Sequence, residues 1–199
     1  MYIFLQRTVA SLMLVFSIPL FALLWILIKL DDGGSLFFKQ RRAGKNKKSF
    51  IMYKVRTMVL GAEKQKRKYL HLNEAGGPVF KIYEDPRYTR IGKLLAHSGL
   101  DELPQLINII KGEMSFVGPR PLPISEAKRV PKIYEKRFSV APGITSLWVV
   151  RGAHSLSFDK WMKLDLDYIK HQSLFLDLKV AISTVFLMLK GLFAGFNKQ

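Results

Sequence analysis

The chain has 199 residues, a formal net charge of +17 and no cysteine. That length suits one domain plus a membrane segment, with ample apolar residues for a core. The missing cysteines exclude a disulfide framework, thiol catalysis and a zinc–thiolate site, and they fit a cytoplasmic compartment. The positive charge calls for an anionic partner: nucleic acid, anionic lipid or a phosphorylated substrate.

Ile3 to Ile28 is almost wholly apolar, broken only near its start by Gln6, Arg7 and Thr8. From Val9 to Ile28 there are about twenty residues, enough for ~30 Å of helix. No small-residue cleavage site follows, so a secretory leader is disfavoured. Pro19 sits mid-run and predicts a kink, with Ser17 placed to bond carbonyls near the break. Such a helix can cross the bilayer or re-enter by the same face. Cations flank it on both sides, so charge asymmetry does not choose. Asp31-Asp32-Gly33-Gly34 is a turn, and Leu36 to Phe38 suits a strand or an interfacial contact.

Between Arg41 and Lys68, eleven Lys or Arg face a single acid, Glu63. This run suits anionic headgroups, being next to the apolar segment. Within it, Ser49 to Met58 alternates as a strand, which puts Met52, Lys54 and Arg56 on one face. Two neighbouring cations suit a diphosphate. Gly61 to Leu72 reads as an exposed charged helix, Asn73 to Pro78 as a loop and Val79 to Ile82 as a short strand. Asp85 before Pro86 and Arg87 is an acid near a metal or an Asx-turn, and the turn is the favoured reading.

Ser98 to Lys111 reads as one helix. Ser98 caps it, and Asp101 and Glu102 lie near the first turn, where the macrodipole favours negative charge. Leu103, Leu106, Ile107 and Ile110 bury one face, and Gly112 ends it. Gly118-Pro119-Arg120-Pro121 then mounts one guanidinium between two prolines. Adjacent carboxylates near a stiffly held arginine suit phosphate chemistry, because a planar cation grips phosphate oxygens in pairs. Ser125 to Ser139 is partly helical and broken by Pro131. Phe158 to Tyr168 is a helix, and a last helix runs from Leu174 to about Lys190. That helix is short for a span and reads as packed on the domain or lying in the interface. Leu192, Phe193 and Phe196 beyond it suit a membrane-surface contact.

Leu100-Asp101-Glu102-Leu103-Pro104-Gln105-Leu106-Ile107-Asn108, followed by Lys111-Gly112-Glu113-Met114-Ser115-Phe116-Val117-Gly118-Pro119-Arg120-Pro121, closely resembles the signature of the bacterial sugar transferase family, the monotopic phosphoglycosyl transferases. Phe50 to Met58 resembles the family's Phe-Lys-x-Tyr-Lys-x-Arg-Thr-Met stretch. Asp85 to Lys93 matches Asp-Pro-Arg-x-Thr-x-x-Gly-Lys. Pro142 to Val150 resembles Pro-Gly-Ile-Thr-Gly-x-x-Gln-Val, with Ser146 in place of Gly and Val149 in place of Gln. Arg151-Gly152 reverses the common order, and Ala96 stands where the family usually has Arg, with His97 beside it. The departures at Ser146, Val149 and Arg151-Gly152 bear on sugar recognition.

The resemblance implies an α/β (α+β) fold: a membrane-inserted, re-entrant N-terminal helix on a compact, mainly helical catalytic domain with a small sheet and interfacial amphipathic helices. The expected units are a membrane segment over 1–30, with re-entry at Ser17 and Pro19, and a cytoplasmic transferase domain over 31–199. The implied activity moves a sugar 1-phosphate from a UDP-sugar to a polyprenyl (undecaprenyl) phosphate, releasing UMP, at the cytoplasmic face of the bacterial inner membrane. By match, Asp101 is the nucleophile. Glu102, with Asp101, holds Mg²⁺. Lys54, Arg56, Arg87, Pro119 and Arg120 bind substrate. Anionic lipids are further partners, and the reading allows downstream glycosyltransferases and a second copy of the chain. No nucleic-acid reader motif appears, so nucleic acid is not an expected partner.

Overall fold

The computed structural model describes residues 2–152 and 156–196, with side chains through 190. Its N-terminal run is two helices, α1 (Tyr2–Phe16) and α2 (Ile18–Asp31), bent by 51°. Pro19 has no N–H to continue the ladder and lies in the first turn of α2. Ser17 takes up the slack at the bend: its hydroxyl donates to the Met13 carbonyl at 2.7 Å. Among the described residues no single helix is long and apolar enough to cross a membrane, whereas this bent pair is by length and composition.

Both arms pack on the rest of the chain. Ala10 of α1 is fully buried against Leu106 and Ile109. Leu24 and Ile28 of α2 pack against Val55 and Leu95. The other faces stay bare, with Phe4, Phe16 and Leu30 among the most exposed apolar side chains. Asp32 fastens the end of α2, its two oxygens each 2.5 Å from an Arg56 guanidinium nitrogen. Arg56 also donates to the Ser35 and Met58 carbonyls. It is 7% exposed and acts as a buried clamp between helix and strand. Arg56→Gln should lower stability by about 1–2 kcal/mol, because the Ser35 and Met58 carbonyls lose their donor, while water takes up the charge of the exposed Asp32. Chemical denaturation in detergent measures that loss.

β1 (Phe37–Ala43) and β2 (Ser49–Val55) form an antiparallel hairpin, Phe37 opposite Val55 and Ala43 opposite Ser49. The strand expected from alternation is present but stops at Val55, so Arg56 leaves the face that carries Lys54. The charged stretch beyond folds as a short helix α3 (Ala62–Gln65) and a 3₁₀ turn over Lys66–Leu72. Val79 to Ile82 is a loop, not the expected strand. Asn73 occupies its backbone groups, accepting from the Lys81 N–H at 2.8 Å and donating to the Val79 carbonyl at 3.0 Å.

The expected helix from Ser98 is two helical pieces and a break. α4 (Arg90–Ser98) is capped by Thr89, whose hydroxyl accepts from the Gly92 N–H, and Ser98 is its last residue. Gly99 follows with φ of 74°, a left-handed conformation that ends α4 cheaply only because it lacks a Cβ. A 3₁₀ stretch over Leu100–Gln105 then carries Asp101 and Glu102 and leads into α5 (Leu106–Lys111), which ends at Gly112 as expected.

The remaining elements are β3 (Ser115–Val117), β4 (Leu122–Pro123), α6 (Ile124–Ala127), a 3₁₀ stretch over Lys132–Ser139, β5 (Gly143–Thr145), α7 (Leu147–Val150), α8 (Phe158–His171) and α9 (Leu174–Phe196). β4 joins the first hairpin in the order β2-β1-β4, and β3 pairs with β5 in parallel. The architecture is thus mainly helical with small sheets. Trp148, Trp161, Met162 and Phe138 form the largest core cluster. α9 is longer than expected and bares Phe175, Ile182 and Phe186. The aromatic side chains expected at positions 193 and 196 lie outside the described side chains. Tyr2 donates to Asp177, which ties the start of α1 to α9.

Candidate active site

Asp101 and Glu102 sit in the 3₁₀ stretch after Gly99, where the tight turn turns both carboxylates toward β2. Lys54 lies across them. Its Nζ is 3.1 Å from Asp101 Oδ2 and 2.7 Å from Glu102 Oε1. Arg120 approaches from the Pro119–Pro121 loop, its Nη1 3.5 Å from the same Glu102 oxygen. The structure therefore brings Lys54 and Arg120, 47 and 18 positions away, to the adjacent Asp101 and Glu102.

The two acids differ. Burial pushes Asp101 up to about 6 against the pull of Lys54, and the neighbouring Glu102 charge adds to the rise. Burial also opposes ionisation of Glu102, but Lys54, Arg120 and Arg42 together outweigh it and hold that carboxyl below its ordinary value. Glu102 thus keeps the negative charge that holds the cations, and Asp101 is the carboxyl that titrates.

Side-chain amides and buried ions set this geometry. Asn108, with no exposed surface, accepts from the Tyr53 N–H at 3.2 Å and donates to the Ile51 carbonyl at 2.7 Å. Its amide takes the place of a neighbouring strand on the open edge of β2 and fixes Lys54 beside the acids. The Arg120 loop is held by its backbone. Arg137 donates to the Arg120 carbonyl at 2.9 Å while paired with Asp165 at 2.7 Å, and both ions are almost fully buried. Arg42 donates to the Pro121 carbonyl at 2.9 Å, and the Gly143 N–H donates to that of Pro119 at 3.1 Å. Sequence reasoning missed Asn108, Arg42, Arg137 and Asp165. Only Asn108 lay inside a recognised motif.

Two other expected site residues, Arg56 and Arg87, border the same cavity as the acids, each gripping an acid of its own. Arg56 is bound to Asp32, as described, and does not flank Lys54. Arg87 is buried and grips Asp85 through Nε at 2.8 Å and Nη2 at 2.6 Å, and it also donates to the Ala62 carbonyl. Its guanidinium braces a loop at the edge of the cavity. The Arg87 N–H donates to Asp85 Oδ1 at 3.0 Å, the Asx-turn favoured from sequence. His97 stacks on Tyr83, ring centres 4.6 Å apart, and engages the Tyr83 carbonyl, so it does not reach the acids' ion pairs. Ser146 is buried with no partner for its hydroxyl, and Val149 packs beside Trp148.

A cavity of about 1520 Å³ opens over the acids. Polar groups line one part, including Lys54, Lys81 and Arg120. Elsewhere its walls are apolar, with Leu5 and Val9 from α1 and Leu178 and Ile182 from α9. Among the described residues there is no cluster of three or more His, Asp or Glu that could hold a metal. The pair Asp101 and Glu102 suits Mg²⁺ all the same, because that ion commonly binds one or two carboxylates together with substrate phosphates.

The family model described as bacterial sugar transferase matches residues 2–191. Galactosyl transferase CpsE of Streptococcus agalactiae serotype III is 40% identical over 161 residues, which is 80% of this chain and 36% of that protein. Exopolysaccharide production protein ExoY of Rhizobium meliloti is 38% identical, over 88% of this chain and 80% of its own length. Undecaprenyl-phosphate galactose phosphotransferase of Salmonella typhimurium is 34% identical, over 94% of this chain and 41% of its own. The chain thus spans most of the ExoY relative and well under half of the other two. With the acid pair, its cations and the surrounding motifs on nearly the whole matched length, this chain belongs to the bacterial sugar transferase family.

Proposed function

We propose that this chain transfers a sugar 1-phosphate from a UDP-sugar to a membrane polyprenyl phosphate, giving polyprenyl-diphosphate sugar and UMP, as the first membrane step of glycan assembly. The observation that carries the reading is the buried Asp101–Glu102 pair, held by Lys54 and Arg120, beneath a cavity polar in one part and apolar in another. A soluble nucleotide sugar and a greasy phosphate need such a cavity in common. The name of the Salmonella relative specifies an undecaprenyl-phosphate acceptor for that protein, which agrees with the reading.

In the proposed reaction Asp101 attacks the phosphorus that bears the sugar. The bond to the UMP oxygen breaks, UMP leaves as an anion, and an aspartyl-phosphosugar remains. An oxygen of the polyprenyl phosphate then attacks the same phosphorus and expels the Asp101 carboxylate, so the new diphosphate forms and the enzyme is restored. A carboxylate approaching a diphosphate meets a repulsion of about 4 kcal/mol per unit charge at ~4 Å and an effective dielectric of ~20. Lys54 and Arg120 offset that repulsion, and Glu102 keeps them in place. Mg²⁺ held by Asp101 and Glu102 would neutralise further phosphate charge when bound. No Ser–His or Cys–His machinery is needed.

The membrane placement belongs to the same proposal. Both arms of the bent pair pack on the catalytic elements, which supports a helix that enters and leaves by one face, with residues 31–199 on the cytoplasmic side of the inner membrane. A spanning helix would carry one arm away. The bare apolar sides of α1, α2 and α9, with the basic run that follows α2, suit a headgroup plane.

The test is UMP release from a panel of UDP-sugars, with undecaprenyl phosphate and Mg²⁺. Release that depends on the lipid and selects one sugar is the expected result. Its kcat/KM should fall as pH drops through about 6, where Asp101 gains its proton. A folded protein that releases no UMP from any donor would sink the proposal.

A further inference from the structure

Two more cations border the same cavity, outside the motifs that carry the family resemblance. Arg42 projects from β1 into a small recess beside Lys54, Glu102, Gln105 and Arg120. One of its nitrogens holds the Pro121 carbonyl, but its Nε–H is buried without a hydrogen-bond partner. A buried guanidinium N–H left unpaired costs stability, so such a group is a natural place for a ligand oxygen. Lys81 borders the larger cavity from the Val79 to Ile82 loop, its Nζ 4.8 Å from the centre of the buried Trp148 ring. The ring faces the ammonium and keeps water from one side of it.

We propose that Arg42 and Lys81 are anion-binding residues of the active site, which with Arg120 seat the diphosphate of the donor. The inference rests on the reading given above. Charge supports it. Arg42, Lys54, Lys81 and Arg120 border the cavity with the Asp101–Glu102 pair. Of the other acids near this group, Glu126 is paired with Lys66 at 2.9 Å, while Glu63 and Glu74 keep their charge, held by the neutral Gln40 amide at 2.6 Å and the Tyr83 N–H at 3.1 Å. The cations also crowd one another. Burial, and next the Arg120 charge, lower Arg42 to about 10 and Lys81 to about 8. A bound dianion would relieve both effects.

The donor fits better than the lipid phosphate. The recess around Arg42 is walled by β1, β2, the acid turn, the Arg120 loop and β5, with no residue from α1, α2 or α9. A lipid phosphate arrives along those apolar helices and meets the cavity on their side.

Calorimetric titration of the full chain in detergent, without divalent metal, tests the assignment with inorganic pyrophosphate and separately with undecaprenyl phosphate. Arg42→Gln and Lys81→Met should each weaken pyrophosphate binding at least about tenfold, as expected for a lost charge-assisted hydrogen bond. Arg42→Lys should recover part of the loss, and undecaprenyl phosphate affinity should stay within about twofold. Lys81 does not touch the Pro121 carbonyl, so its variant reads binding even if Arg42→Gln unfolds. Pyrophosphate affinity unchanged in Lys81→Met and in a folded Arg42 variant would overturn the inference. So would a loss confined to undecaprenyl phosphate, or no pyrophosphate binding by the wild type. Binding is read without turnover, so a failure of the proposed reaction would show separately, as absent UMP release.

Discussion

Asp101→Asn is expected to cut UMP release by at least about 10³-fold, since an amide cannot form the acyl-phosphate bond. The protein should remain folded. Lys54 keeps Glu102 as its partner at 2.7 Å, and Arg120 keeps the same oxygen. Stability should move the other way from activity. Burial raises the folded-state value of Asp101 from 3.8 to about 6, so the native state takes up a proton that the unfolded chain does not hold across that interval. Wild-type stability contributed by this residue is therefore full below pH 3.8 and is lost as pH rises through about 6. Asparagine carries no such dependence. Above pH 6 the variant should melt no lower than the wild type, with the comparison least favourable to it below pH 4. UMP release and melting curves at both pH values decide the matter. Full activity in the variant would mean a different nucleophile, and a collapsed melting transition would mean that the acid is structural.

Asp165→Asn is expected to cause the largest loss of stability, about 3–5 kcal/mol, because it leaves the Arg137 charge buried without an anion. Side-chain exposure is 1% for Arg137 and 2% for Asp165, so water cannot replace the partner. The same variant should impair catalysis even where it folds, since Arg137 holds the Arg120 carbonyl. Urea unfolding gives the first number, and UMP release at low temperature gives the second. A double substitution of Arg137 and Asp165 by apolar residues of similar volume should recover much of the stability but not the activity. Recovery of both would show that the pair has no part in placing Arg120.

The sequence was most legible where a local pattern and a motif agreed. Alternation through Ser49 to Val55 located Lys54 on a strand, and the Asp101–Glu102 motif supplied its partners. It misled at Arg56, where the same alternation was carried past the end of the strand, through Met58. The acid that captures Arg56 lies 24 positions earlier, in a turn whose direction depends on how α2 packs. The break at Gly99 carried a readable signal, a glycine directly after an apolar-periodic stretch, but the serine before it looked like the start of a helix. Val79 to Ile82 had the composition of a strand, yet Asn73 had already taken its backbone bonds. Arg137 and Asp165 sit in stretches that read only as partly or wholly helical, and nothing local marks an ion pair that the fold closes over. Pro19 announced the bend between α1 and α2, because a missing N–H acts wherever the chain goes.

The Asn108 amide has a consequence for the order in which this molecule can form. The hairpin of β1 and β2 can assemble from local contacts, but its outer edge stays open until α5 arrives with Asn108. A slip of one residue in that docking would face the amide with peptide groups that point to β1, so Asn108 fits beside Lys54 in one register. Correct docking and a complete set of charges around Asp101 are therefore one event. A half-folded chain would have its hairpin and its helices, but not the ion pairs that surround Asp101.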